Sequence, residues 1–419
     1  MTTPDGSADQ RAGTAPVHDW ACDFDHAVHE YNAHAPQIWR DLREGGCPVA
    51  HTERYGGSAW LPVTHDAIHQ IAYDPEHFSS RNVVVTNHRL TMDGRYNGLG
   101  GAPPITSDPP VHAIARRLLL PAFAPKRIAP LEGEIRTLCR RLLRGLGDLE
   151  PGATFDAASE YAQHIPVGVI RTMLGFPAAD EGRFAGFVHD VLERVAEPAE
   201  ARRDGLDALF EYIERQVRDH IDDPRDDLTS ELLAVEIEGR PLEPHHVVGT
   251  IGLLLIAGID TTWSVIGSAL LHLARAPADH RRLRDDPAVM PAAIEEFLRH
   301  HAPVTMARVV QQDHEFFGND LKRGDWVLLP FPAANRDPHQ FEDPDRFIID
   351  RELNRHAAFG LGIHRCIGSN LARLELRVAV EEFVAHVPAI ELAGPVAWSL
   401  GQVRGPRTVP VRITEPSVH

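Results

Sequence analysis

The stretch that most constrains this chain is Val247–Ile259, a run of thirteen residues without a charge that stops at Asp260. It is shorter than the roughly 20 apolar residues a bilayer span requires, so it reads as a helix running through the core of a globular protein. Its continuation is Ala257-Gly258-Ile259-Asp260-Thr261-Thr262. An acid in such surroundings is costly unless it is paired or useful. Small residues at Ala257 and Gly258 leave room beside the helix, and an acid followed by a hydroxyl can relay protons into a dry space. The plainer reading is a core helix whose Thr261 hydroxyl bonds back to its own backbone.

A helix of this kind needs a large core around it, and the chain can supply one: 419 residues, 43% hydrophobic and 24% charged, the balance of a globular protein. No Pro/Gly/Ser linker divides it and no internal repeat is visible. Segment Arg81–Pro104 has little periodicity and reads as a long loop, a feature that is usually functional or mobile. From Asp108 onward, apolar residues recur at three- and four-residue steps, as in Arg136–Leu146 and Leu206–Ile221. Beyond His301-Ala302-Pro303 come shorter strands, one helix over about 368–387, and a strand-rich tail. The expected fold is a single, mainly α domain with a minor β part (α+β) over residues 19–419, built around the long helix. Residues 1–18 are expected to be a disordered leader without an apolar signal core. A cytoplasmic monomer is the expectation, and the net charge of −18 argues against nucleic acid as partner.

Only four cysteines occur, Cys22, Cys47, Cys139 and Cys366, and their wide spacing suits neither a zinc site nor a disulfide framework. Cys366 lies in Phe359-Gly360-Leu361-Gly362-Ile363-His364-Arg365-Cys366-Ile367-Gly368. Glycines at 360, 362 and 368 open backbone conformations closed to other residues and allow close approach of a flat ligand. A helical pattern begins just past the cysteine, where exposed N–H groups and the helix dipole favour a thiolate. Three uses fit this loop: a buried structural thiol, a nucleophile if a base such as His364 reaches it, or a thiolate ligand of haem iron.

The loop resembles the haem-binding segment of the cytochrome P450 superfamily, and three further motifs resemble that family in identity, order and spacing, over about Trp39–Val411. The resemblance implies haem b held by Cys366, with Phe359, Gly360, His364 and Gly368 shaping its loop. It makes Asp260 and Thr261 the proton-delivering pair of an oxygen-activating helix, with Ala257 beside the cofactor. It makes Glu296-Phe297-Leu298-Arg299 a structural ion pair with Arg346 as third partner. His112 and Arg116, four residues apart after Asp108-Pro109-Pro110, become partners of the haem propionates, as do Arg308 and His364.

The implied activity is monooxygenation: one atom of O2 inserted into a small, mostly apolar substrate such as a terpenoid or a substituted aromatic. No Cys cluster or Gly-rich dinucleotide fingerprint is fused to the chain, so a separate ferredoxin and its reductase are the expected electron donors. Arg116, Arg117, Lys126, Arg127, Arg365, Arg373 and Arg377 are candidates for a positive docking face. The substrate pocket is expected to draw on Val84, Leu99, Phe187, Leu254, Val304, Met306 and Leu400. A peroxygenase would not need Asp260-Thr261, a haem sensor would waste them, and a cysteine hydrolase explains Cys366 alone.

Overall fold

The computed structural model describes residues 15–85, 102–147, 149–188, 190–191, 199–237 and 239–415. Most of the expected leader, and Leu99 of the expected pocket, lie outside them. Residues 15–18 depart from the leader expectation. Arg54, fixed to Asp23 by paired bonds of 2.6 Å, also donates to the carbonyls of Ala15 (2.8 Å) and Pro16 (3.1 Å) and ties them to the body.

The apolar run forms the middle of one helix, Pro244–Arg275, 32 residues long. Pro244 suits its first turn, where an N–H has no partner to lose. By length and composition alone it could cross a membrane, but 78% of its most apolar stretch is buried inside the protein. Helices His164–Met173, Ala199–Asp222 and Ser369–His386 pack against it, and Glu132–Gly145 packs in turn on His164–Met173 and Ser369–His386. Together they form a helical core that includes Ile135, Ile165, Ile259, Ile266, Leu270 and Phe383.

A second core is richer in strands. Five strands pair in the order Val49–Thr52, Ala59–Pro62, Trp326–Pro330, Thr305–Val310, Phe78–Ser79. Their inner residues close on Trp39, Ile68 and Phe331. Side chains alternate along a strand, so Met306 and Arg308 of Thr305–Val310 project from the same face. Ile390–Leu392, Pro410–Ile413 and Thr154–Asp156 form a smaller sheet at the tail. The outcome is the mainly α domain with a minor β part expected from the sequence.

The cysteine loop lies across the junction of the two cores. Phe359 and Ile367 pack against the helical core, and Leu361 between them packs against the strand-rich one. Val85, Val304 and Met306 edge the strand-rich core, whereas Ile256 and Phe187 edge the helical core.

Candidate active site

The loop's shape depends on two glycines. Gly360 and Gly362 have φ of 71° and 67°, a region open to glycine at little cost. A Cβ on Gly362 would also stand 2.0 Å from the Ala72 carbonyl oxygen. The Cys366 amide closes the loop by donating to the Phe359 carbonyl at 2.7 Å. Gly368 differs from expectation: its φ of −82° is ordinary. Its contribution is its position as N-cap of Ser369–His386 and its amide, which donates to the Cys366 sulfur.

Cys366 is flanked by protein yet exposed on one side, as a ligand on the wall of a cleft must be. Burial by its neighbours pushes the thiol pKa up, against the Gly368 amide and the charges of Arg116, Arg365 and Arg373. A bound cation would reverse that balance, because a coordinating thiol is deprotonated outright.

Beside it is a cluster of cationic and neutral donors. The His112 and His364 rings lie 4.3 Å apart, and Nε2 of each is buried without a partner. Burial, with the charges of Arg308, His112 and Arg116, lowers the His364 pKa to about 2 and leaves the ring neutral. Arg308 is buried, which lowers its pKa to about 10. Its Nη1 reaches the Ala307 carbonyl at 2.7 Å. Arg116 donates to the Arg365 carbonyl at 2.6 Å. Buried donors left in this state are expensive, and a ligand bearing carboxylates would satisfy them. The donor set, the sulfur and the glycine-shaped loop therefore fit haem: Cys366 would be its metal ligand, and His112, Arg116, Arg308 and His364 would face its propionates.

The long helix turns a less buried stripe, Leu253, Ala257 and Thr261, to one side, and Ala257 in mid-helix is exposed. Thr261 Oγ1 donates to the Ala257 carbonyl at 2.7 Å, the plainer arrangement named from sequence. Asp260 is fully buried and faces Arg407, whose Nη2 is 2.5 Å from Oδ1. The same guanidinium donates to Ser264 Oγ at 3.1 Å and lies 4.3 Å from the Trp263 ring centroid. Sequence reading missed Arg407; a partner 147 residues downstream leaves no local signal.

Glu296 and Arg299 are buried with paired bonds of 2.8 and 2.7 Å. Glu296 also accepts from the amide of Ile348 (2.8 Å), Arg351 Nε (3.1 Å) and Asn354 Nδ2 (3.0 Å). Arg346 is corrected here. Its side chain points to solvent beside Asp343, and only its carbonyl joins the cluster, accepting from Arg299 at 2.9 Å. Arg351, five residues on, supplies the guanidinium expected of Arg346.

Three docking candidates are ion-paired within the chain. Arg373 is bound to Glu295 at 2.7 and 2.8 Å and stacks 4.4 Å from the Phe359 ring centroid. Arg377 is held by Glu132 and Glu381. Arg127 pairs with Glu231. Of the expected pocket residues, Leu254 is buried, and Val84, Val304, Met306 and Leu400 are half-buried. Phe187 packs into an aromatic group with Phe184 and Tyr212.

A cysteine in a glycine-shaped loop, unmet donors for carboxylates and an acid–alcohol pair on the long helix together describe a haem-thiolate protein. The family description Cytochrome P450 matches residues 183–386. Cytochrome P450-terp of a Pseudomonas species is 32% identical over 391 residues, 88% of this chain and 90% of that one. Vitamin D(3) 25-hydroxylase of Pseudonocardia autotrophica is 34% identical, covering 83% of this chain and 85% of that one. The structure of CYP109E1 from Bacillus megaterium in complex with testosterone aligns with a TM-score of 0.83 and 29% identity, over 93% of this chain and 100% of that one. This chain belongs to the cytochrome P450 family. It is accordingly a haem-dependent monooxygenase, an oxidoreductase that draws electrons from a redox partner.

Proposed function

We propose that this enzyme hydroxylates a compact, mostly apolar molecule, with Asp260 and Thr261 as its proton-delivering pair and a ferredoxin as its electron donor. The substrate class is supported by the residues read as its wall: Ala257 is exposed in mid-helix, and half-buried Val304, Met306, Val84 and Leu400, with buried Leu254, carry only hydrocarbon and thioether. The relatives are consistent with it, since one is a vitamin D3 hydroxylase and another was solved with testosterone.

When bound, haem supplies oxygen activation and attack on the substrate's C–H bond. The chain's residues position and protonate. Cys366 holds the iron, with the Gly368 amide moderating the sulfur's electron donation. His112, Arg116, Arg308 and His364 fix the rim through charge-assisted bonds. The hydrocarbon wall excludes water, which strengthens every charge effect inside. Asp260 carries the proton at its carboxylate and Thr261 Oγ1 passes it to the Ala257 side of the helix. For that, Thr261 must leave the Ala257 carbonyl and Asp260 must loosen from Arg407.

The cationic docking face reduces to Arg116, Arg117, Lys126 and Arg365, because Arg127, Arg373 and Arg377 are occupied by Glu231, Glu295, Glu132 and Glu381. A face of this kind acts mainly on encounter rate. A cytoplasmic setting with a soluble ferredoxin and its reductase completes the reading.

The test is optical. Vitamin D3, testosterone and benzoate are titrated into the haem-loaded protein, and turnover with NADH, ferredoxin and reductase is followed. Spin-state shifts with either apolar probe but not with benzoate are expected, with a hydroxylated product. A shift with benzoate alone would replace the apolar class with small aromatic acids.

A further inference from the structure

Gln402 stands in the tail turn next to Leu400, and its side chain reaches two other segments. Its Nε2 donates to the carbonyls of Val83 and Thr305, both at 2.9 Å. Its Oε1 accepts from the Val85 amide at 3.2 Å. The Gln402 carbonyl accepts from the Thr305 amide at 2.8 Å. Both N–H donors and the carbonyl of one amide are thus spent on backbone groups of Val83–Val85 and Thr305. These two segments and the tail turn carry Val84, Met306 and Leu400, three of the residues read above as pocket wall.

We propose that Gln402 is the positioning residue that sets the width of the substrate pocket, by fastening the Val83–Val85 segment to strand Thr305–Val310 and to the tail turn. The proposal rests on reading those segments as pocket wall. The three are not held equally. The tail turn keeps backbone ties to the strand without the amide: Arg404 N to Pro303 O at 2.7 Å, and the Val304–Val403 bridge. Val83 keeps the Ala307 amide at 3.1 Å. The Val84 amide keeps Asn82 Oδ1 at 3.2 Å, whereas the Val85 amide bonds to Gln402 Oε1, so it is Val85, and with it the Val84 side chain before it, that shifts when the amide is lost. Glutamate at this position keeps the shape but sets an acceptor against two carbonyls, and methionine keeps the volume without donors.

The experiment uses haem-loaded Gln402→Glu and Gln402→Met, with Met306→Phe as a direct change of wall. Imidazole and the larger 4-phenylimidazole, both iron-binding azoles, are titrated optically. In both Gln402 variants imidazole affinity is expected to stay within about twofold while 4-phenylimidazole affinity changes at least tenfold. Amide exchange in Val83–Val85 should accelerate alongside. An unchanged affinity ratio in the Gln402 variants, with a changed ratio in Met306→Phe, overturns the role of Gln402 and leaves the pocket reading intact. An unchanged ratio in all three overturns both. Equal loss of both azoles marks a merely structural residue and also overturns it.

Discussion

Glu296 and Asp260 are both buried carboxylates facing arginine, and their surroundings differ in a way that suits the opposite parts proposed for them. Glu296 accepts from Arg299, Arg351, Asn354 and the Ile348 amide, so its oxygens are caged by donors from two separate stretches of chain. Asp260 faces a guanidinium that divides itself among Asp260, Ser264 and the Trp263 ring. A carboxylate caged by many donors is fixed in place and cannot exchange a proton without breaking the fold locally. One that shares a divided partner can be released by a side-chain rotation. On the proposed function, the same residue chemistry serves as scaffold at Glu296 and as moving part at Asp260.

The comparison can be broken most severely at the scaffold. Arg299→Ala leaves Glu296 charged and buried, which should cost about 3–5 kcal/mol. Urea denaturation of the variant should show that loss together with poor haem retention. Asp260→Asn, which leaves Arg407 its Ser264 and Trp263 contacts, should cost clearly less stability than Arg299→Ala while lowering product formation about 100-fold, the scale of general acid–base catalysis; steady-state turnover and denaturation on one preparation check both halves. Thr261→Ala should consume NADH at a similar rate but divert it to peroxide, read as the ratio of product to NADH. A scaffold-like collapse of Asp260→Asn, or tight coupling in Thr261→Ala, would remove the contrast.

A third buried carboxylate sharpens it. Glu375 of helix Ser369–His386 is buried, has no partner on Oε2, and burial pushes its pKa up to about 8. In the folded state it holds its proton up to about pH 8, whereas unfolded it releases it near the ordinary glutamate value of about 4.3. The unfolded chain therefore binds fewer protons between those limits, and Glu375 makes stability fall as pH rises through that window. Glu375→Gln should flatten the fall and raise Tm at pH 8 by about 2–4 °C, measured by scanning calorimetry at pH 5 and pH 8.

What could be read in the sequence was whatever is encoded locally. The cysteine loop, the i, i+3 pair Glu296–Arg299 and the adjacent Asp260-Thr261 are each written within one loop or one helical turn. The long helix was legible too, because its run without charge admits few environments. Arg407, Gln402 and Arg351 were missed because each acts across a long span of chain and lies in a stretch whose periodicity says nothing of its partner. Arg346 and Arg351 are five residues apart, and only the path of the backbone decides which one reaches Glu296. Arg373 looked like a surface cation because nothing in its own helix shows that Glu295 waits opposite.

The cysteine loop, with Phe359 and Ile367 in one core and Leu361 in the other, makes cofactor capture a checkpoint on assembly. Neither core by itself presents a complete cradle: the sulfur's loop needs both, Arg308 comes from the strand-rich side and Ala257 from the helical side. The expected consequence is that haem is held fully only by molecules whose two cores have come together. The colour of a preparation counts finished molecules, and a slow step in docking would appear as a lag in haem uptake after secondary structure has formed.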